Sequence, residues 1–125
     1  MVEAVMIITN NPMSNSKLGD AHEVDFIDGT TMDVYTKVRD YIHKGHELLT
    51  HPLMSSIKPN ETPYRTVVIS KNSHSIVDMK SLGYIEEAVH TTEKFLKNYG
   101  IPNWTKQVIE DFQLIDYDLV QHALM

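Results

Sequence analysis

The chain has 125 residues, of which 42% are hydrophobic, so it is expected to form a single domain, 1–125, with one core. Its formal net charge is −6 and it has no run of basic residues, which argues against nucleic-acid binding because that needs a cationic face. No apolar stretch approaches ~20 residues, so the sequence predicts no membrane span. The N-terminus does not resemble a secretory signal, and we expect a cytoplasmic protein.

Cysteine is absent from the sequence. The chain therefore forms no disulfide and offers no thiolate for metal binding, redox chemistry or nucleophilic attack.

Three segments, at about 3–9, 22–28 and 65–70, have the composition of β-strands. The first and third are continuous apolar runs, which predicts strands that are buried on both faces. The second alternates apolar and polar side chains, which predicts an edge strand with one face in water.

Two amphipathic helices are predicted around the third strand. Residues 31–49 carry apolar side chains at helical spacing, and Thr30 and Asp33 have the spacing of a capping box at its start. Residues 78–98 show the same period and are followed by a glycine and a proline, which together form a stop signal.

The C-terminal part predicts two more helical segments. Asn103 is expected to cap a third helix, which carries Trp104 and Phe112 at helical spacing. Asp116 is expected to start a short terminal helix that continues through Leu124.

These elements predict a small three-layer α/β domain with a mainly parallel sheet of about three strands and three to four helices. The two apolar strands belong inside and the alternating strand at an edge, which gives the sheet order 2-1-3. Residues 12–20 are short for the crossover that a parallel pairing of strands one and two requires. An exposed sheet edge favours pairing between copies, so we expect a homo-oligomer.

The segment from His43 to Tyr64 holds three of the seven histidines. His43 and His46 lie on one face of the predicted helix, about 5–6 Å apart at Cβ, and His51 follows the helix. Three imidazoles and a glutamate could bind zinc. The alternative, which we favour, is that these histidines bond to loop carbonyls, so we expect neither a metal nor a cofactor.

The sequence KPNETPY at 58–64 holds two prolines that stiffen the backbone, with polar residues between them. It ends a 14-residue connection, 50–63, and connections of this length are often functional. The sequence does not decide whether this segment is a binding loop or a structural brace between the helix and the third strand. The residues that we expect to gather on one concave polar surface are His43, His46, His51, Lys58, Asn60 and Glu61.

Two loops follow the apolar strands, and they are further candidates. Asn10 and Asn11 follow the first strand, and residues 70–74, including Lys71, follow the third. Ligands of open α/β sheets bind at the carboxyl ends of strands, and these groups would suit a small anionic metabolite. Ordinary turn residues are the alternative. The candidate binding residues are completed by Asn10, Asn11 and Tyr64.

Three blocks of the sequence resemble the GrdX family: ITNNP at 8–12, VRDYIHKGHELLTHPL at 38–53 and KPNETPY at 58–64. Genes of that family accompany those of the glycine, sarcosine and betaine reductases of amino-acid-fermenting anaerobes. The resemblance implies a cytoplasmic accessory protein that binds subunits of a glycine or betaine reductase complex. It supplies no catalytic residues. Since that system uses selenocysteine and thiol chemistry, a cysteine-free chain cannot be a thiol carrier within it.

The leading interpretation is therefore an accessory protein that binds a small ligand or a protein partner. One alternative is a small enzyme that uses His43, His46 or His51 as acid–base groups, while Lys58 or Glu61 orients an anionic substrate. Another is a metal-binding subunit. The sequence shows no recognisable pair of nucleophile and base, which favours the first interpretation.

Overall fold

The computed structural model describes residues 4–55 and 57–124. Its elements in chain order are β1 (Val5–Thr9), α1 (Pro12–Leu18), β2 (Glu23–Phe26), α2 (Thr31–His43), β3 (Thr66–Ser70), α3 (Met79–Tyr99) and α4 (Lys106–Leu124). All three predicted strands are present, and the capping box of Thr30 and Asp33 forms at the start of α2. Within the described ranges, no helix has both the length and the apolar composition needed to cross a membrane.

The sheet has the predicted order, β2-β1-β3, but it is not mainly parallel. Strand β1 pairs in parallel with β2 and antiparallel with β3, so that prediction was wrong. Buried apolar runs look alike in either direction, and strand direction is set by the connections. The long segment between α2 and β3 returns the chain to the far end of the sheet before β3 begins.

Helix α1 was not predicted, although its local signals are present in the sequence. The side chain of Asn11 accepts a hydrogen bond from the Met13 N–H, and Pro12 occupies the first helical turn, where its missing N–H costs nothing. This helix of seven residues supplies the crossover between β1 and β2 that the parallel pairing requires.

Helix α2 ends at His43, earlier than predicted, because the chain turns at Gly45 with a φ of 104°. Residues 46–50 then run beside β3 instead of continuing the helix. Leu48 forms an antiparallel bridge with Ile69, and the Leu49 N–H donates to the backbone of β3. The outer edge of β3 is thereby covered, which protects it from pairing with other chains.

The C-terminal part is one continuous helix, not two, and it begins after the predicted cap. The side chain of Thr105, not of Asn103, accepts from the backbone of the first turn of α4. Asp116 does not start a helix but lies in the middle of α4, with its carboxylate buried against the sheet.

Side chains alternate between two core clusters on opposite faces of the sheet. Met6, Ile8 and Val67 pack in the cluster that α2 and α3 complete. Ile7 and Val68 pack in a smaller cluster with side chains of α1 and α4. Helices on both faces agree with the predicted three-layer arrangement.

Replacing Gly45 by alanine is expected to lower the free energy of unfolding by at least about 2 kcal/mol, because the backbone has a positive φ there. A Cβ would also lie 1.9 Å from the carbonyl oxygen of His74. Gly83→Ala is the matched control, since no neighbour lies within 4 Å of its Cβ position in α3. That control should raise stability by about 0.5–1 kcal/mol in urea unfolding. Equal effects of the two substitutions would contradict the proposed turn.

Candidate binding site

Asn10 joins three segments at the end of the sheet where β1 stops and β3 starts. Its Nδ2 donates to the carbonyl oxygens of Gly29, at 3.0 Å, and Pro63, at 2.9 Å. Its Oδ1 accepts from the backbone N–H of Arg65 at 2.9 Å. The side chain uses all but one of its hydrogen-bonding positions, so it fixes the loops before α2 and β3 relative to each other.

Asn11 makes a second junction, on the face of the sheet covered by α1 and α4. Besides capping α1, it donates to the carbonyl oxygen of Gln113 and to Asp116 Oδ2, both at 2.9 Å. The hydroxyl of Thr66 donates to the same carboxylate oxygen. Burial raises the pKa of Asp116, and these two hydrogen bonds act against the rise.

The segment 58–64 contacts the helices on both sides of this end. Asn60 Nδ2 donates to the carbonyl oxygen of Gly100 at 2.9 Å, and Trp104 Nε1 donates to that of Glu61 at 2.7 Å. The hydroxyl of Tyr64 accepts a hydrogen bond from α4. Six of the predicted site residues therefore lie at one end of the sheet: Asn10, Asn11, Lys58, Asn60, Glu61 and Tyr64.

A cleft of about 310 Å³ opens at this end, and it is called the apolar cleft below. This volume is at the lower limit of small-molecule sites. None of the described residues that line it carries a charged side chain. Its lining consists of the apolar Met32, Pro59, Pro63, Leu96, Ile101 and Trp104, the polar Thr30, Thr31, Asn60 and Thr62, and Gly29.

Asn60 carries a buried acceptor on the wall of the apolar cleft. The residue is 5% exposed, and its Oδ1 has no hydrogen-bond partner among the described residues. The orientation of the amide is fixed, because exchanging its oxygen and nitrogen would place two oxygens together at Gly100.

Arg65 is a buried cation that sequence reasoning missed. It is 6% exposed, and its Nε and Nη2 have no hydrogen-bond partner among the described residues. The hydroxyl of Tyr35 lies close to it: burial raises the pKa of Tyr35, and the Arg65 guanidinium opposes that rise. Arg65, Asp116 and Thr62 all line a small cavity of about 10 Å³. A charged residue beside a buried strand was the available signal.

The three histidines do not join this group. His46 lies at the opposite end of the sheet, where its Nδ1 donates to the carbonyl oxygen of Ser70 at 2.7 Å. His51 Nδ1 accepts from the Leu53 N–H at 3.0 Å. His43, the last residue of α2, is exposed. Because α2 ends at His43 and the carbonyl oxygen of Glu47 accepts from the Ser70 N–H, His43 and His46 stay at the end of the sheet where β3 stops, away from segment 58–64.

A single concave surface of six predicted residues is therefore not formed. His51 lines a second cleft, of about 500 Å³, together with Glu47 and the first turns of α3, whereas Asn60 lines the apolar cleft. In residues 4–55 and 57–124, no three metal-ligating side chains come together. The alternatives of a histidine-based enzyme and a metal-binding subunit gain no support from this geometry.

The loops after β1 and β3 were expected to share one edge, and they do not. Since β3 is antiparallel to β1, the loop that starts at Asn10 and the loop 70–74 lie at opposite ends of the sheet. The Lys71 N–H donates to the carbonyl oxygen of Ala4, at the start of β1.

The fold and the site define a small mixed α/β domain with an apolar cleft at the polar end of its sheet. The chain belongs to the GrdX-like protein family, whose model matches residues 6–125. The resemblance seen in the three sequence blocks is thus confirmed over nearly the whole chain. No curated protein and no solved structure matches it.

Asn10→Ala is expected to lower the free energy of unfolding by about 2–4 kcal/mol, because the Arg65 N–H and the oxygens of Gly29 and Pro63 lose their partner. Asn15→Ala is the matched control, since that side chain is exposed in α1 and its substitution should stay within about 0.5 kcal/mol. Chemical denaturation measures both values. Similar small losses would mean that Asn10 does not hold the loops together.

Asp116→Asn is expected to flatten the pH dependence of stability. Folding raises the pKa of this carboxyl. Its contribution to the stability of the folded protein is therefore fully present below its unfolded pKa of about 3.9, and it is lost as pH rises through the folded pKa. The asparagine keeps an oxygen for Asn11 and Thr66 but has no charge to bury. In melting curves recorded from acid to neutral pH, the melting temperature of the variant should rise relative to that of the wild type as pH increases. Asp40→Asn, an exposed position on α2, is the control, and a wild-type slope in Asp116→Asn would contradict the effect of burial.

Proposed function

We propose that this protein is an accessory of the glycine, sarcosine or betaine reductase system and that it binds a reductase subunit at the apolar cleft. Membership of the GrdX-like family supports the metabolic context. The convergence of two family blocks, 8–12 and 58–64, at one end of the sheet supports the location.

The observation that carries the proposal is a set of exposed side chains at the mouth of the cleft, here called the rim patch: Lys58, Tyr99 and Ile101. Tyr99 is 70% exposed and Ile101 is 62% exposed, and Ile101 also lines the apolar cleft. The Lys58 ammonium lies 5.9 Å from the centre of the Tyr99 ring. Large exposed apolar side chains beside a cleft are typical of protein interaction sites.

A purely structural brace would explain only part of this arrangement. The bonds of Asn60, Glu61 and Pro63 to other elements do hold the segment in place. Such a role does not account for the exposure of Tyr99 and Ile101, because bracing is a function of buried contacts. The rim patch therefore favours binding over bracing alone.

Binding of the purified reductase subunits to immobilised protein tests the proposal. Ile101→Ala and Lys58→Ala should each weaken binding at least tenfold and leave the melting temperature near that of the wild type, since both side chains are exposed. Ile76→Ala is the matched control: Ile76 is 79% exposed but lies after β3, at the other end of the sheet. Unchanged binding by the two rim variants would reject the site.

We also propose that the protein forms a homo-oligomer. In the described sheet β2 pairs only with β1, which leaves its outer edge open to a second copy. Sedimentation velocity on the purified protein should show a concentration-dependent dimer, and a monomer at all concentrations would exclude it.

A further inference from the structure

Arg65 presents an unusual combination of charge, burial and missing partners. Its Nε and Nη2 are the two nitrogens on one side of the guanidinium, and both are buried without a hydrogen-bond partner in the described residues. These two N–H groups form the fork that binds a carboxylate with two parallel hydrogen bonds. A buried charge is expensive unless it is paired, so the fork requires an anionic or strongly accepting partner.

The nearest carboxylate does not fill this role. Asp116 lines the small cavity beside Arg65, but no ion pair within 4 Å joins the two among the described residues. One oxygen of that carboxylate already accepts from Asn11 and Thr66. Asp116 is thus held toward α1 and β3, and the Arg65 fork stays open.

The small cavity that Arg65 lines is a neighbour of the apolar cleft. Thr62 lines both the apolar cleft and the small cavity at Arg65, so it forms the wall between them. The cleft itself offers apolar surface from Leu96 and Trp104 and no charged side chain from the described residues. Asn60 also lines the apolar cleft, and its Oδ1 is buried without a hydrogen-bond partner among the described residues.

We propose that Arg65 and the apolar cleft together form a binding site for a small monocarboxylate. The carboxylate pairs with Nε and Nη2 of Arg65, and a short apolar body occupies the cleft against Trp104. An N–H or O–H group on the ligand donates to Asn60 Oδ1. The site does not depend on the protein partner of the proposed function.

Access to Arg65 requires the segment around Thr62 to shift. The cavity at Arg65 is about 10 Å³, which is space for about one water molecule and not for a carboxylate. Pro59 and Pro63 bound the residues that must move, and both line the cleft. A ligand that enters the cleft displaces the wall from that side, so binding and the movement of Thr62 are coupled.

Arginine side-chain NMR tests the site on the unaltered protein. The chain has two arginines, Arg39 and Arg65, so the spectrum holds two Nε–H signals, and Arg39→Lys assigns them. Sodium propionate should shift the Arg65 signal with saturation and leave Arg39, which pairs with Glu86 on the surface, unchanged. Fluorescence of Trp104, the single tryptophan, should change with the same midpoint.

Propionamide, inorganic phosphate and chloride distinguish specific binding of a monocarboxylate from a general effect of shape, charge or ionic strength. Propionamide has the shape of propionate without its charge, and it should leave Arg65 unshifted. Inorganic phosphate should not change Trp104 fluorescence, since it lacks the apolar body. An Arg65 signal that responds equally to chloride at the same ionic strength would indicate an adventitious ion only and would overturn the proposal. No response to propionate at tens of millimolar would do the same.

Arg65→Lys supplies an independent test, because lysine keeps the charge but has no fork. Propionate binding, followed by Trp104 fluorescence, should weaken at least tenfold in this variant, while Arg39→Lys binds as the wild type does. Circular dichroism checks that Arg65→Lys is folded; if it is not, the NMR titration of the unaltered protein decides. Wild-type affinity in folded Arg65→Lys would overturn the proposal. The reductase pull-down is a separate measurement, so a failure of either proposal is recognised without the other.

Discussion

The arrangement of the loops around the apolar cleft depends on how their polar groups are hydrogen-bonded where β1 ends. Asn10 and Asn11 are adjacent, and because successive residues point to opposite sides, their side chains serve opposite faces of the sheet. Asn10 bonds to the loops at Gly29 and Pro63, and Asn11 bonds to α4. One short loop thus joins both helical layers, and the apolar cleft is the space left where the loops and helices meet.

A second constraint is the turn at Gly45. The positive φ ends α2 and directs residues 46–50 along the outer edge of β3. This pairing has two consequences. It closes one edge of a three-stranded sheet, and it keeps His46 at the end of the sheet opposite Asn60. The clustering of three histidines in the sequence therefore does not become a cluster in space.

The sequence predicted what depends on local pattern. Apolar runs located the three strands, and the capping box located the start of α2. Strand order followed from burial, whereas the direction of β3 did not, because it depends on the path of the 44–65 connection. Asn10, Asn60 and Tyr64 were predicted as site residues from their loops. The hydrogen-bond partners of Asn10, from 19 to 55 residues away in sequence, could not be read from any local pattern.

Arg65 and Asp116 were missed for a related reason. A charged residue at the border of a strand or inside a helix is usually solvated, and only the packing of α4 against the sheet shows that these two are buried. A buried charge of this kind lowers the stability of the fold until an opposite charge or hydrogen bonds pair with it.

The most direct test of binding at the apolar cleft is hydrogen exchange of the protein, measured alone and with the purified reductase subunits. If the subunits bind at the apolar cleft, backbone amides in residues 58–64 and 96–104, around the cleft, gain protection, and exchange in residues 71–78 at the far end of the sheet is unchanged. Protection that appears instead at residues 46–51 and 78–84, around the second cleft, would contradict it and would assign binding to the histidine side of the domain.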